Sequence, residues 1–273
     1  MSKLTAPRIH ATAVVDPDAT IADDVTVGPY CVIGPKVSIG PGTALSHHVS
    51  IDGRTTLGRD NRVFPFASIG AEPQDRKFFG EDSRLEIGDG NVIRECVTVN
   101  LGTENGGGVT RIGSHNMLMA CSHVAHDCLL EDRIVMANGV LLGGHIHIGS
   151  DVILSGGALV HHFVTIGRHA FIAGGAHVNV DAPPFMMVHG VKQKVHNVNV
   201  VGLKRHGFSK ETLDALREAH RIIWRSGAVK REAIERLERD FAGVPEIAEL
   251  AAFVNASLAG KNGRAIEAQR RDV

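Results

Sequence analysis

The chain has 273 residues, 29 Lys and Arg against 30 Asp and Glu, and only 4% aromatic residues. This balance excludes a strongly basic nucleic-acid binder or a partner of anionic membranes, and no run approaches the ~20 apolar residues of a spanning helix. Four cysteines (Cys31, Cys96, Cys121, Cys128) contain no Cys-x-x-Cys pair, which speaks for a reducing cytosol and against a disulfide framework or thiolate zinc site.

Residues 1–8 lack the apolar stretch of a secretory leader, so a cytoplasmic protein without stable membrane insertion is expected. From Ile9 an aliphatic residue recurs at every sixth position. One run covers residues 9–69, a short one Ile87, Ile93 and Val99, and the last residues 112–178. These are 26 hexads with no polar residue in the key place, several followed by glycine, as in Val27-Gly28 and Ile148-Gly149. Period six fits neither a helix nor an alternating strand. It fits a prism of short strands with a turn at each corner, the parallel β-helix of hexapeptide repeats. Three hexads make one coil, so about nine coils are expected. The fold class is mainly β, a left-handed parallel β-helix over residues 1–190 with a C-terminal α-helical domain over 191–273; the hand is that usual in hexapeptide β-helices and not one the period dictates, since the general crossover rule favours the right hand.

Two segments interrupt the period. Residues 73–84 (PQDRKFFGEDSR) and 100–110 (NLGTENGGGVT) have no aliphatic in the expected place. Loops leaving a rigid scaffold often carry function. The first packs Gln74, Asp75, Arg76 and Lys77 together. Gly106-Gly107-Gly108 in the second does not precede a helix, so it reads as a flexible connection and not a phosphate loop.

After Val178 the pattern ends at Asp181-Ala182-Pro183-Pro184 and a connecting segment follows. Ser209 reads as the N-cap of a helix over 210–225, stopped by Gly227. Further helices are expected over 228–241 and from Pro245 to about 258. They would cover one end of the prism, whose last coil otherwise leaves strand edges unpaired. Arg217, Arg221 and Arg225 share one face of the first helix: a solvated face, or a docking surface for an acidic partner.

Stacking turns sequence distance into space. Residues 18 apart occupy one place on adjacent coils, ~4.8 Å apart. His126 then lies beside Gly144, Gly144 beside His162, and Asp127 beside His145. His123, His126, Asp127, Gly144, His145, His161 and His162 become one patch. A carboxylate beside an imidazole fixes its tautomer and stabilises its charged form, as a general base needs. A glycine N–H nearby could hold an oxyanion. Base plus oxyanion donor suffices for acyl transfer without a protein nucleophile, and no G-x-S-x-G elbow surrounds the patch. Three other readings stand beside this one: solvent-facing histidines on a trimeric scaffold, histidines that fill turns, and a zinc site like that of hexapeptide-repeat carbonic anhydrases. The zinc reading lacks the expected His-x4-His pair, so no metal and no cofactor is expected.

Ile69-Gly70, Pro73-Gln74-Asp75, Lys77 and Gly80-Glu81, then His123-Val-Ala-His126-Asp127-Cys128, then Gly202-Leu203-Lys204-Arg205 and Gly207-Phe208-Ser209 resemble three motifs of the bacterial UDP-N-acetylglucosamine acyltransferases. The resemblance covers nearly the whole chain. It implies a cytoplasmic homotrimer with sites in clefts between prisms, using a UDP-sugar and an (R)-3-hydroxyacyl chain on acyl carrier protein in the first step of lipid A synthesis. His126 would deprotonate the 3-position of the sugar, Asp127 orient His126, and the Gly144 amide hold the oxyanion. Gln74, Asp75, Lys77, His123, His145, His161 and His162 fall at substrate-binding places. Asn199 and Arg205 would hold the nucleotide, and Gly174 would limit acyl chain length. Val201 stands where an acidic nucleotide contact is usual, Asn100 for a histidine, His162 for a glutamine and His206 for an arginine. Some members acylate a 3-amino sugar nucleotide, which Val201 would suit.

Overall fold

The computed structural model describes residues 8–269. The expectation about an apolar leader in residues 1–8 lies almost wholly outside them. Two-residue strands dominate and form three sheets of nine, eight and ten strands, and as far as Val178 each strand pairs in parallel with the one three places on. This is a left-handed parallel β-helix with helices at its C-terminal end. Val14 pairs with Val32, and His123 with Leu141, both 18 residues apart. Each hexad places one aliphatic inward. Ile33, Ile51, Leu85, Ile93, Leu118, Ile148 and Ile172 are all fully buried. Burying such a side chain is worth about 1.5–3 kcal/mol, and the coils after the first, whose Ile9 is exposed, contribute three each.

The two interruptions appear as longer steps. Ile69 pairs with Val99 and Val99 with Val124, offsets of 30 and 25 residues. The coils therefore carry 12 and 7 extra residues without losing register. A buried amide ladder holds these coils together. Asn61, Asn91 and Asn116 are wholly buried. Each Oδ1 accepts from the next coil: Asn91 N–H at 2.9 Å, Asn116 N–H at 2.8 Å and Ile134 N–H at 2.7 Å. Their side-chain amides donate to the Gly88, Gly113 and Glu131 carbonyls. Buried amides satisfied in this way cost little and fix the stacking where the loops depart.

The segment after Val178 is more regular than expected. Met186–His189 adds in parallel to the Phe171–Ile172 strand, and Lys194–Val198 turns back antiparallel to it. This hairpin occupies the sheet edge. Four helices follow: α1 Val200–Arg205, α2 Lys210–Trp224, α3 Lys230–Asp240 and α4 Pro245–Ala259. The short α1 was not anticipated from sequence. The Ser209 hydroxyl accepts from Thr212 N–H at 3.1 Å and starts α2 as expected. A second core, including Phe185, Leu203, Leu216 and Leu250, seals the helices against the prism. Among the described residues no helix is long and apolar enough to cross a membrane.

Candidate active site

Asp127 lies at a corner of the prism with φ 60°, and His145 takes the same conformation one coil on. Left-handed backbone costs a non-glycine residue about 1–2 kcal/mol. Here stacking holds it, since the His145 ring lies flat on Phe163 with centroids 4.4 Å apart. The second loop covers the Asp127 side chain there, which is only 1% exposed.

Three groups hold that carboxylate. His126 Nδ1–H donates to Oδ2 at 2.7 Å. From the second loop, the Thr103 N–H donates to Oδ1 at 2.7 Å and the Thr103 hydroxyl to Oδ2 at 2.6 Å. A carboxylate can only accept, so the His126 proton sits on Nδ1 and Nε2 keeps its lone pair. The Asp127 N–H itself donates to the Thr110 hydroxyl at 2.8 Å. Neither threonine stood out in the sequence. The loop that carries Thr103 did, as a break in the period.

Glycine is required twice. A Cβ on Gly144 would lie 2.5 Å from His126 Cε1 and 2.7 Å from Nε2. The backbone of the next coil thus lies directly on the imidazole. A Cβ on Gly106 would lie 2.0 Å from the Asp127 carboxyl carbon. The expectation of a flexible Gly106–Gly108 connection is corrected here: the loop packs on the carboxylate, and only a glycine permits that approach.

His126 faces a cavity of about 510 Å³ lined also by Gln74, His123, Leu141, Gly144, Leu159 and His161. His123 Nδ1 and the Thr98 hydroxyl are hydrogen-bonded at 2.7 Å. Burial, and then the neighbouring His126 charge, hold His123 below the ordinary histidine value. Burial does the same to His145 against the opposing Asp127 charge. The His145 and His126 rings meet edge to face at 5.1 Å. His161 and His162 rings lie 3.8 Å apart, but only His161 lines the cavity. Leu141 and Leu159 are exposed, at 44% and 38%. The sequence reading did not single them out, because its key position is the inward neighbour. The Cys128 thiol next to Asp127 donates to the Gly143 carbonyl at 3.2 Å, and burial pushes its pKa up to about 12. It is no nucleophile.

The structure does not bring every expected residue to this cavity. Asp75 caps its own turn, accepting from Lys77 N–H at 3.1 Å. Lys77 lines a separate hollow between the two loops, with Phe79, Glu81 and Glu104. Asn199 is buried as the α1 N-cap: it accepts from Gly202 N–H at 3.2 Å and donates to the His169 carbonyl at 2.9 Å. Arg205 is exposed at the end of α1. A Cβ on Gly174 would meet only the coil below, 3.3 Å from the Gly156 carbonyl. Arg217 and Arg221 pair with Asp214 and Glu218, and Arg225 donates to the His196 carbonyl at 3.0 Å. His126, Asp127 and His145 bring ligand atoms within 4.8 Å of one another. The His126 Nδ1–H is directed at the carboxylate, however, which is the geometry of an acid–base pair and not of a common metal centre.

A hexapeptide-repeat prism whose cavity holds an oriented imidazole, with no serine or thiolate nucleophile lining it among the described residues, has the arrangement of an acyltransferase. Comparison with known proteins agrees. The family described as UDP N-acetylglucosamine O-acyltransferase, domain 2, matches residues 181–264, and the bacterial transferase hexapeptide family (six repeats) matches residues 6–41. The acyl-[acyl-carrier-protein]–UDP-N-acetylglucosamine O-acyltransferase of Syntrophobacter fumaroxidans is 45% identical over 254 residues, covering 93% of this chain and 98% of that protein. The UDP-N-acetylglucosamine O-acyltransferase of Moraxella catarrhalis superposes with a TM-score of 0.87 at 42% identity, covering 90% of this chain and 96% of the other. The UDP-N-acetylglucosamine acyltransferase of Bacteroides fragilis gives 0.88 at 36%, with 90% and 96% covered. The chain belongs to the UDP-N-acetylglucosamine acyltransferase family.

Proposed function

We propose that the protein transfers an (R)-3-hydroxyacyl chain from acyl carrier protein to the 3-hydroxyl of UDP-N-acetylglucosamine, the opening step of lipid A synthesis. The observation that carries this reading is the 2.7 Å bond between His126 Nδ1 and Asp127 beside a cavity with an apolar wall, which leaves Nε2 to act as the base. Nε2 takes the proton of the sugar hydroxyl as its oxygen attacks the thioester carbonyl. The Gly144 N–H holds the oxygen that becomes negative. Asp127 stabilises the imidazolium. The tetrahedral intermediate collapses, the carrier's sulfur leaves, and the His126 proton passes to it. Leu141 and Leu159 give the acyl chain its wall, with Gln74, His123 and His161 around the reacting groups.

We further propose a homotrimer. Outward-facing Val92, Met117, Val135, Ile153 and Phe171 stack through successive coils of one sheet. Such an apolar ridge calls for a partner surface. Clefts between prisms would also let Lys77, Asn199, Arg205 and Gly174 serve a site that one chain leaves open. Sedimentation should give three times the chain mass, and a monomer at micromolar concentration would rule this out.

The central test offers acyl carrier protein thioesters with UDP-N-acetylglucosamine or its 3-amino analogue. Wild type should acylate the hydroxyl, as the relatives' names specify. His126→Ala should lose ~100-fold or more in turnover, the usual scale for a general base. Near-normal turnover in that variant would remove the mechanism. Product from the amine alone would shift the acceptor, which the exposed Val201 makes worth checking.

A further inference from the structure

The four cysteines are of two kinds. Cys31 and Cys128 are buried, and their thiols donate to the Ser46 carbonyl at 2.8 Å and the Gly143 carbonyl at 3.2 Å. Burial raises both pKa values, which makes them inert. Cys96 and Cys121 are free and exposed.

These two are neighbours in space. On one side of the pair Ile93 lies opposite Leu118, and on the other Thr98 lies opposite His123. Both offsets are 25 residues, so Cys96 stacks directly on Cys121 across the two coils. The Cys121 N–H donates to the Glu95 carbonyl at 2.9 Å and fastens the corners together there. Both cysteines have left-handed backbone, φ 57° and 59°, so their side chains leave the corner in the same sense. Coils stack ~4.8 Å apart, inside the Cα window of about 4.4–6.8 Å that a disulfide accepts. On the following coils this corner is Gly139, Gly157 and Gly175, where a Cβ would meet nothing within 4 Å. The corner column is open there.

The pair also lies two residues from a rung beside the cavity. Thr98 follows Cys96 by two residues, and His123 follows Cys121 by two. Their 2.7 Å hydrogen bond joins the same two coils, and His123 lines the cavity.

We propose that Cys96 and Cys121 form a surface dithiol that hydrogen peroxide closes reversibly to an intramolecular disulfide, and that closure acts on the Thr98–His123 rung. One thiolate sulfur attacks a peroxide oxygen, giving a sulfenic acid and releasing the other oxygen as water. The second thiolate attacks the sulfenic sulfur and expels the second water. Two thiols lose two hydrogens and two electrons, and the peroxide is reduced to two water molecules. Turning the two side chains into the roughly 90° dihedral of a disulfide adjusts both corners, and with them the His123 ring against its threonine.

The effect on turnover rests on the acyl-transfer reading; the cross-link does not. The full chain is treated with peroxide, alkylated, digested without reductant and mapped by mass spectrometry. The expected product is a peptide pair joined through Cys96 and Cys121, lighter by two hydrogens and restored by dithiothreitol. Cys96→Ser and Cys121→Ser should each abolish it. Before oxidation, two of the four thiols should react in the native protein. In the acyl-transfer assay, oxidised wild type should show KM raised by about 3-fold or more, the cost of a misplaced binding group, and dithiothreitol should reverse it. Cys121→Ser should not respond. A cross-link between chains, over-oxidation of one isolated cysteine, or no reaction would overturn the dithiol. A clean internal cross-link with unchanged KM and kcat would overturn its action on His123. A reduced protein that transfers no acyl group counts against the functional reading alone, and the peptide map still decides the dithiol.

Discussion

His126, Asp127 and His145 gather two imidazoles around a carboxylate, and so do Asp151, His169 and His206. Both carboxylates sit at prism corners with positive φ, 60° and 63°. They differ in what neutralises them. Asp127 is held by the neutral N–H and hydroxyl of Thr103. Asp151 is clamped by the Arg133 guanidinium, at 2.7 and 2.9 Å. Burial pushes the Asp151 carboxyl up, but Arg133 and the two histidines bring it below its ordinary value. Its imidazoles stand off at 3.9 Å, against 2.7 Å for His126 on Asp127. Neutral donors leave a carboxylate's charge available to an imidazolium, whereas a guanidinium consumes it. The same residue types thus make a carboxylate–imidazole pair beside a cavity at one corner and an ion-paired brace at the other.

Exchanging each aspartate for asparagine tests that contrast most strongly. Asp127→Asn sets an amide N–H₂ against either the Thr103 N–H or the His126 Nδ1–H, and removes the charge that stabilises the imidazolium. Turnover should fall by about 100-fold, on the scale of losing general-base function. Asp151→Asn should leave kcat within about 2-fold, since Arg133 already cancels its charge. Equal losses in the two variants would erase the distinction. Thr103→Val sharpens it. It removes one hydroxyl bond to a charged group and keeps the backbone donor. A bond of about 1.5–3 kcal/mol, expressed only partly in the transition state, corresponds to about a 10-fold lower kcat. The expected signature is a fall in kcat with KM little changed.

How much of this contrast was legible in the sequence follows from where periodicity acts. The 18-residue step placed Asp127 beside His145 and Gly144 on His126, because every coil obeys one geometry. That step says nothing about a segment that leaves the coil. Thr103 is such a residue, and so its bonds to Asp127 were invisible. The Asp151 cluster escaped for a related reason: Arg133, Asp151 and His169 are each 18 apart, but His206 arrives from α1, outside the period. Asn61, Asn91 and Asn116 were missed differently. Their spacings of 30 and 25 hide the ladder until the two insertions are subtracted. Asn199 shows a different limit: the family's motif marked it for the nucleotide, and nothing in that motif announced that its amide also caps α1 and holds the His169 carbonyl.

The smallest expected effect separates the clusters by pH. His169 is packed against Phe185, Phe208 and His206, with Asp151, Arg133 and Arg168 around it. Burial lowers its pKa from 6.5 to about 4, against the opposing Asp151 charge, with His206, Arg168 and Arg133 adding to the fall. Below pH 6.5 the unfolded chain takes up a proton here that the folded chain refuses. Stability therefore falls as pH drops from about 6.5 towards 4, and the group contributes no pH dependence above that window. His169→Gln removes this proton uptake while keeping a hydrogen-bonding side chain of similar length. The wild-type melting temperature should fall between pH 7 and pH 5, and the variant should fall by about 3 °C less, the size of a ~1 kcal/mol term. His123, His145 and His220, all lowered by burial, should keep part of the acid slope in both proteins. Identical slopes would mean that the second corner is not the brace its burial implies.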